Sequence, residues 1–323
     1  VKTILDAKIY MRITCGLILF SFLNLTLTGL YTAQGDSKTP FVANFIGLLI
    51  NLLLDPLLIL GVGPFPRIEV AGAAVATVSA QFVVMFVMMV GVFRSKKEEN
   101  VLKGIRLFKP FSKEELGNIC KIGGPTAIQG MVYCMISMVL TRMVAAFGAE
   151  AIATQRVGGQ IESVSWNTAD GFAAALNAFV GQNYGAKKMD RVQKGYRISF
   201  WTVAIWGALI MLAFIIFPGP IAGVFFHEEK AMEIAISYLI IIGFSEAFMC
   251  VELMTIGALS GLGKTKLCSV ISITATSMRI PLAMVLSRTS LGLDGIWWAL
   301  TLTSVAKGII FYLTFRYQMR EKC

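Results

Sequence analysis

Nine runs of about 20 apolar residues punctuate the chain, near positions 13–34, 41–61, 72–93, 122–146, 151–180, 198–217, 232–259, 268–287 and 295–317, each long enough to cross a bilayer as a helix. In lipid a backbone satisfies its hydrogen bonds only within a helix or a closed barrel. The runs show no period-two alternation and are too long for barrel strands, so the expected fold class is an all-α polytopic membrane protein. Composition agrees: 56% of residues are hydrophobic and 15% charged, and the mean hydropathy is +0.72. A water-soluble domain does not have this make-up.

The net charge of +10 would suit nucleic acid, but its location assigns it otherwise. Arg94, Lys96, Lys97, Lys103, Arg106, Lys109, Lys113 and Lys121 lie between the third and fourth runs, and Lys187, Lys188, Arg191, Lys194 and Arg197 follow the fifth. Lys38, Lys264, Lys266 and the tail residues Arg316, Arg320 and Lys322 fall on the same side of the alternation. By the positive-inside rule that side is cytoplasmic, which makes the C-terminus cytoplasmic and anionic membrane lipid the partner of the basic charge, with no nucleic acid. A cell-membrane, multi-pass, monomeric protein is expected. His227 is the only histidine and the six cysteines form no CxxC pair, so neither a disulfide scaffold nor a His/Cys metal site is expected, and no cofactor.

An internal repeat organises the runs. Gln34-Gly35-Asp36-Ser37-Lys38 closes the first run as Leu262-Gly263-Lys264-Thr265-Lys266 closes the seventh, and Gly72 and Gly295 open the third and ninth in similar surroundings. Runs one to three therefore correspond to seven to nine. The alternation also places the N-terminus outside, against the basic residues before the first run. Both observations lead to the expectation that three helices precede Val1, in a six-plus-six protein with its substrate path between repeated halves. The expected domains are 1–93, the remainder of a first lobe; 94–117, a basic cytoplasmic linker; and 118–323, a second lobe.

Gly29-Leu-Tyr-Thr-Ala-Gln-Gly-Asp-Ser-Lys-Thr-Pro40, Asn51-Leu-Leu-Leu-Asp55-Pro56, Gly72-Ala-Ala-Val-Ala-Thr77 and Val180-Gly181-Gln182-Asn183-Tyr184-Gly185-Ala186 occur in that order. In these segments the chain resembles the MATE multidrug and toxic compound extrusion transporters, over essentially its whole length. The resemblance implies a two-lobed, inverted-V helical bundle of the MATE/MOP type, with nine of twelve transmembrane helices present, the fourth to the twelfth. It further implies a secondary antiporter that exchanges Na⁺ or H⁺ for drug by alternating access.

Ionisable side chains inside the runs mark ion or substrate pathways; Asp55, Glu162, Asp170, Glu246 and Glu252 qualify. Asn44, Asn51 and Asp55 share a helical face, and Pro56 frees the Leu52 carbonyl, a set suited to Na⁺ ligation or to carrying a proton. The resemblance maps Asn51 and Asp55 onto the first lobe's cation site, with Thr77 contributing; the alternative is a structural Asn–Asp pair. In the fifth run Gln155, Glu162, Trp166, Asp170, Ala173 and Asn177 fall on one stripe, expected to line a cavity for cationic, amphipathic small molecules by charge and cation–π attraction. Gln129 and Tyr133 face the same way in the fourth run. Relative to the NorM-like branch, Tyr133 and Met249 stand where that branch has carboxylates. Glu246 is expected to substitute, Glu252 to be structural, and Arg279 either to balance an acid or to be structural. These departures place the chain nearer DinF-like members, with coupling in the first lobe.

Gly261-Leu-Gly263-Lys264-Thr265 looks like part of a phosphate loop, but Ala258 replaces the required glycine and no strand precedes it, so a helix-end turn is expected. The rival functions are a lipid-linked oligosaccharide flippase, which needs cationic residues in its lumen, and an intramembrane enzyme, which His227 between helices cannot supply. Cysteine-accessibility labelling in intact cells should reach the 62–71 and 226–231 connections from outside. The 94–117 and 184–197 segments should label only after permeabilisation; outside labelling of 94–117 would overturn the topology.

Overall fold

The structure, a computed structural model, describes residues 2–61, 67–94 and 112–320, and among them helix is the only regular secondary structure. The chain divides into two compact units, 1–110 and 111–323. The first holds α1 (Lys2–Gly16), α2 (Leu19–Ala33), α3 (Lys38–Leu60) and α4 (Glu69–Arg94). The second holds α5 (Lys113–Ala145), α6 (Ala149–Gly185), α7 (Met189–Ile216), α8 (Pro218–Gly223), α9 (Glu229–Gly243), α10 (Glu246–Gly261), α11 (Thr265–Ser277), α12 (Arg279–Leu286) and α13 (Gly292–Arg320). Of the 94–117 linker, residues 95–111 lie outside the described residues. Its end is already helix: Ser112 Oγ accepts from the Glu115 amide while Glu115 returns the bond to the Ser112 amide, a capping box that starts α5.

Among the described residues six stretches are long and apolar enough to cross a membrane, and eight if each bent pair counts as one span. The remaining run, the fifth, lies on α6, which is 37 residues long and is not among those spans. Two runs expected to be single helices are broken: α1 meets α2 at 47°, and α9 meets α10 at 50°. At the second break the Ser245 amide bonds Ile242 O at 2.8 Å instead of Ile241 O, and Thr301 of α13 donates to the freed Ile241 O at 2.8 Å. A bend buried in a bilayer persists only when such a carbonyl finds another donor.

The repeat extends to this detail. Gly16 precedes one break and Gly243 the other. Gly35 and Gly263 both close a helix with positive φ, 83° and 75°, so the supposed phosphate loop is a helix-end turn. A Cβ on Gly72 would lie 2.6 Å from Leu58 O, and one on Gly295 would lie 2.5 Å from Leu286 O. Leu58 and Leu286 are separated by the same offset as Gly35 and Gly263.

In the second unit α10 is buried on nearly all sides, packed against α6, α7, α13 and α11. Gly257 and Gly261, one turn apart, bring its backbone onto α6: a Cβ at Gly257 would sit 2.3 Å from Ala173 O, and one at Gly261 2.6 Å from Asn177 O. Gly257→Val should therefore destabilise the protein by about 1–3 kcal/mol through overpacking, read as a fall in the midpoint of thermal unfolding in detergent. Gly171→Ala, where a Cβ meets nothing within 4 Å, should leave the midpoint unchanged or raised.

Candidate functional site

The second unit encloses a cavity of about 630 Å³ between α5, α6, α10, α11 and α13. Gln129 and Tyr133 face it from α5, Gln155, Glu162 and Trp166 from α6, and Arg279 from the start of α12. The stripe read along the fifth run divides. Its first half lines the cavity, but Asp170 and Asn177 are exposed elsewhere on α6, and Ala173 is buried against α10. A helix of 37 residues is longer than the cavity it borders, so one face passes through more than one environment.

Glu162 is positioned by an aromatic neighbour. Gly158, one turn away, leaves room for the Tyr238 ring, onto which a Cβ there would fall. Tyr238 stands edge-on to Trp297, centroids 4.9 Å apart, and donates its hydroxyl to Glu162 Oε1.

The two glutamates of α10 lie in different surroundings. Glu246 is fully buried and does not line the cavity. It lies beside Ser165, but neither carboxylate oxygen attains hydrogen-bond geometry, and Ser165 Oγ instead contacts Cys250 Sγ at 3.3 Å. Glu252 faces the cavity with Met249, Leu253 and Ile256. Both glutamates are one turn from Met249, on opposite sides of it, so the orientation of α10 within the bundle decides which is inside. Glu252 Oε1 accepts from Lys307 Nζ of α13 at 2.7 Å, the two side chains 6% and 9% exposed.

Arg279 neither balances an acid by direct pairing nor stands idle. Nε donates to Thr303 Oγ1 at 3.0 Å and Nη2 to Ser304 Oγ at 2.9 Å, both on α13, and no ion pair involves it among the described residues. With Arg156 and Lys307 the lining carries three basic side chains beside the two acids Glu162 and Glu252. The acidic lumen expected from the stripe is thus a mixed one. Lys307 was legible as a cation in the middle of the ninth run; Tyr238 carried no signal of its own in the seventh.

In the first unit Asn51 and Asp55 are half-buried on α3, Pro56 lies inside that helix, and the Asn51 amide nitrogen is buried without a partner. Asn44 is exposed and donates to Pro40 O on its own helix at 2.8 Å, so it leaves the group read along that face. Thr77 of α4 donates to Ala73 O at 2.9 Å, and among the described residues no hydrogen bond joins it to Asn51 or Asp55.

A polytopic helical protein with a polar cavity enclosed by its spans has the form of a membrane carrier. The MatE family profile matches residues 2–57 and 125–285, and the chain belongs to that family, whose members are transporters and not enzymes. It is 27% identical over 315 residues to the Bacillus subtilis protein named "Probable multidrug resistance protein YoeA", covering 97% of this chain and 68% of that one. With the Thermotoga maritima protein named "Probable multidrug resistance protein NorM" it shares 28% over 328 residues, covering 98% and 68%. A Shewanella oneidensis protein named "FAD transporter" is 26% identical over 283 residues, covering 87% and 61%. The chain thus spans about two thirds of the length of these relatives. The fold matches a MATE structure in the straight conformation with a TM-score of 0.87 at 21% identity, covering 97% of this chain and 70% of that one. It matches a MOP superfamily transporter from Pyrococcus furiosus with the same score at 22% identity and the same coverage.

The Glu252–Lys307 pair sets a stability test. Lys307→Met strands a buried carboxylate and should cost about 3–5 kcal/mol, whereas the double variant with Glu252→Gln should recover most of that loss. Thermal unfolding of the three proteins in one detergent measures it; a double variant no more stable than Lys307→Met would contradict the pairing.

Proposed function

We propose that the protein is a secondary active exporter of amphipathic small molecules, a multidrug antiporter of the cell membrane with a cytoplasmic C-terminus. The observation that carries this reading is the cavity, drug-sized at about 630 Å³ and lined by aromatic and charged side chains, in a chain of the MatE family. Relatives named for multidrug resistance and for FAD transport are consistent with a cargo range broader than cations alone. Alternating access works only if the cavity's partner ion binds the two conformations unequally, since a ligand without differential affinity shifts no equilibrium.

The coupling group we assign is Asp55, assisted by Asn51 and Thr77, with Na⁺ or H⁺ as the ion. Asp55 is half-buried, one turn from the unpartnered Asn51 amide, and Pro56 denies the Leu52 carbonyl its helical donor. The replacement of carboxylates by Tyr133 and Met249 supports coupling in the first unit and a DinF-like affinity. The exporter acts as a monomer, with anionic lipid at its basic connections. A flippase for lipid-linked oligosaccharide is supported less well, because the cavity has the volume of a drug, not of an oligosaccharide.

In proteoliposomes Asp55→Asn should abolish dye efflux driven by a Na⁺ or pH jump while dye binding stays within about twofold, since the amide keeps the shape and removes the charge. Asn51→Ala should weaken the ion dependence without abolishing it. Gradient-driven efflux at the unmodified rate in Asp55→Asn would move the coupling site elsewhere.

A further inference from the structure

At the Arg279 end of the cavity a buried cation has no acid paired with it among the described residues. Arg279 is 9% exposed, and the groups it bonds, Thr303 and Ser304, are neutral hydroxyls. Two hydrogen bonds use only part of the five-donor guanidinium fork, whose geometry matches a planar oxyanion. Glu162 is within electrostatic reach, but its carboxylate is held by Tyr238. Lys307, one turn from Ser304 on α13, reaches the cavity with its charge offset by Glu252.

A second observation is independent of the arginine. Ser272 also lines the cavity, is 3% exposed, and its hydroxyl has no partner. Ser272, Thr276 and Arg279 stand at helical spacing along α11 and the start of α12, all facing the cavity. A buried hydroxyl and a buried cation without an acid, both facing one cavity, share one shortage, a hydrogen-bond acceptor carrying negative charge. Trp166 and Tyr133 supply aromatic surface for the rest of a ligand.

We propose that Arg279, with Ser272, binds the oxyanion group, carboxylate or phosphate, of an amphipathic substrate whose apolar body lies against the aromatic wall. This rests on the exporter reading and narrows its cargo: the substrates include amphiphilic anions and zwitterions. The binding step itself involves no bond making or breaking.

The test uses the chain in lipid nanodiscs and the matched fluorescent probes dansylglycine, which carries a carboxylate, and dansylglycinamide, which does not. The acid should bind at least tenfold more tightly than the amide. Arg279→Gln should erase that preference, Arg279→Lys should retain part of it, and Ser272→Ala should weaken the acid severalfold without affecting the amide. Displacement of dansylglycine by 1-naphthyl phosphate assigns the site to oxyanions generally, and failure to displace assigns it to carboxylates; both support it. Equal binding of the two probes by the unmodified protein, a preference that survives Arg279→Gln, or binding of neither probe overturns it. Gradient-driven dye efflux, measured with the same purified protein in proteoliposomes, separates that outcome from failure of the exporter reading.

Discussion

Lipid gives a helix no hydrophobic reason to leave it, so α10 must be held at the centre of the second unit by close packing and by polar bonds. Both are present. Gly257 and Gly261 let its backbone touch that of α6, where dispersion contacts replace those that lipid would have made. On another side Glu252 reaches Lys307, and on a third the Tyr196 hydroxyl meets Thr255 Oγ1 at 3.0 Å. These contacts hold α10 on its α6, α7 and α13 sides and leave Met249, Leu253 and Ile256 facing the cavity.

The same constraint explains the polar residues around it. A bend at Gly243–Glu246 turns α10 against α9, and a side-chain hydroxyl on α13 takes up the carbonyl that the bend releases. Arg279 begins α12 next to the α11–α12 irregularity, and two hydroxyls on α13 receive its donors. Helix α13 thus serves as the polar strip for its neighbours, donating to Ile241 O and Glu252 and accepting from Arg279.

Much of this was legible before any coordinates. Length and apolarity located the runs, up to eight of which are, among the described residues, helices or bent helix pairs long and apolar enough to cross a membrane. The repeat was legible too, since glycines at a left-handed helix end or a close crossing cannot be exchanged freely. The breaks after Gly16 and Gly243 were not, because a helix bend in a continuous apolar run leaves no change in composition. The site was half legible. Helical spacing grouped Glu162 with Trp166 and Gln129 with Tyr133, and all four line one cavity, but spacing fixes only relative angles, so it could not decide which of Glu246 and Glu252 lines it too. Lys307 was counted as a charge with an address and not as a partner, because its acid lies in another span.

Lys307 also gives the protein an order of events during synthesis. A lysine at the middle of a span raises the cost of entering the membrane from the translocon by about 2.5–3.5 kcal/mol. The carboxylate that compensates it is on α10, which the ribosome completes earlier than α13. Helix α13 therefore enters a membrane where its counter-charge has already been delivered.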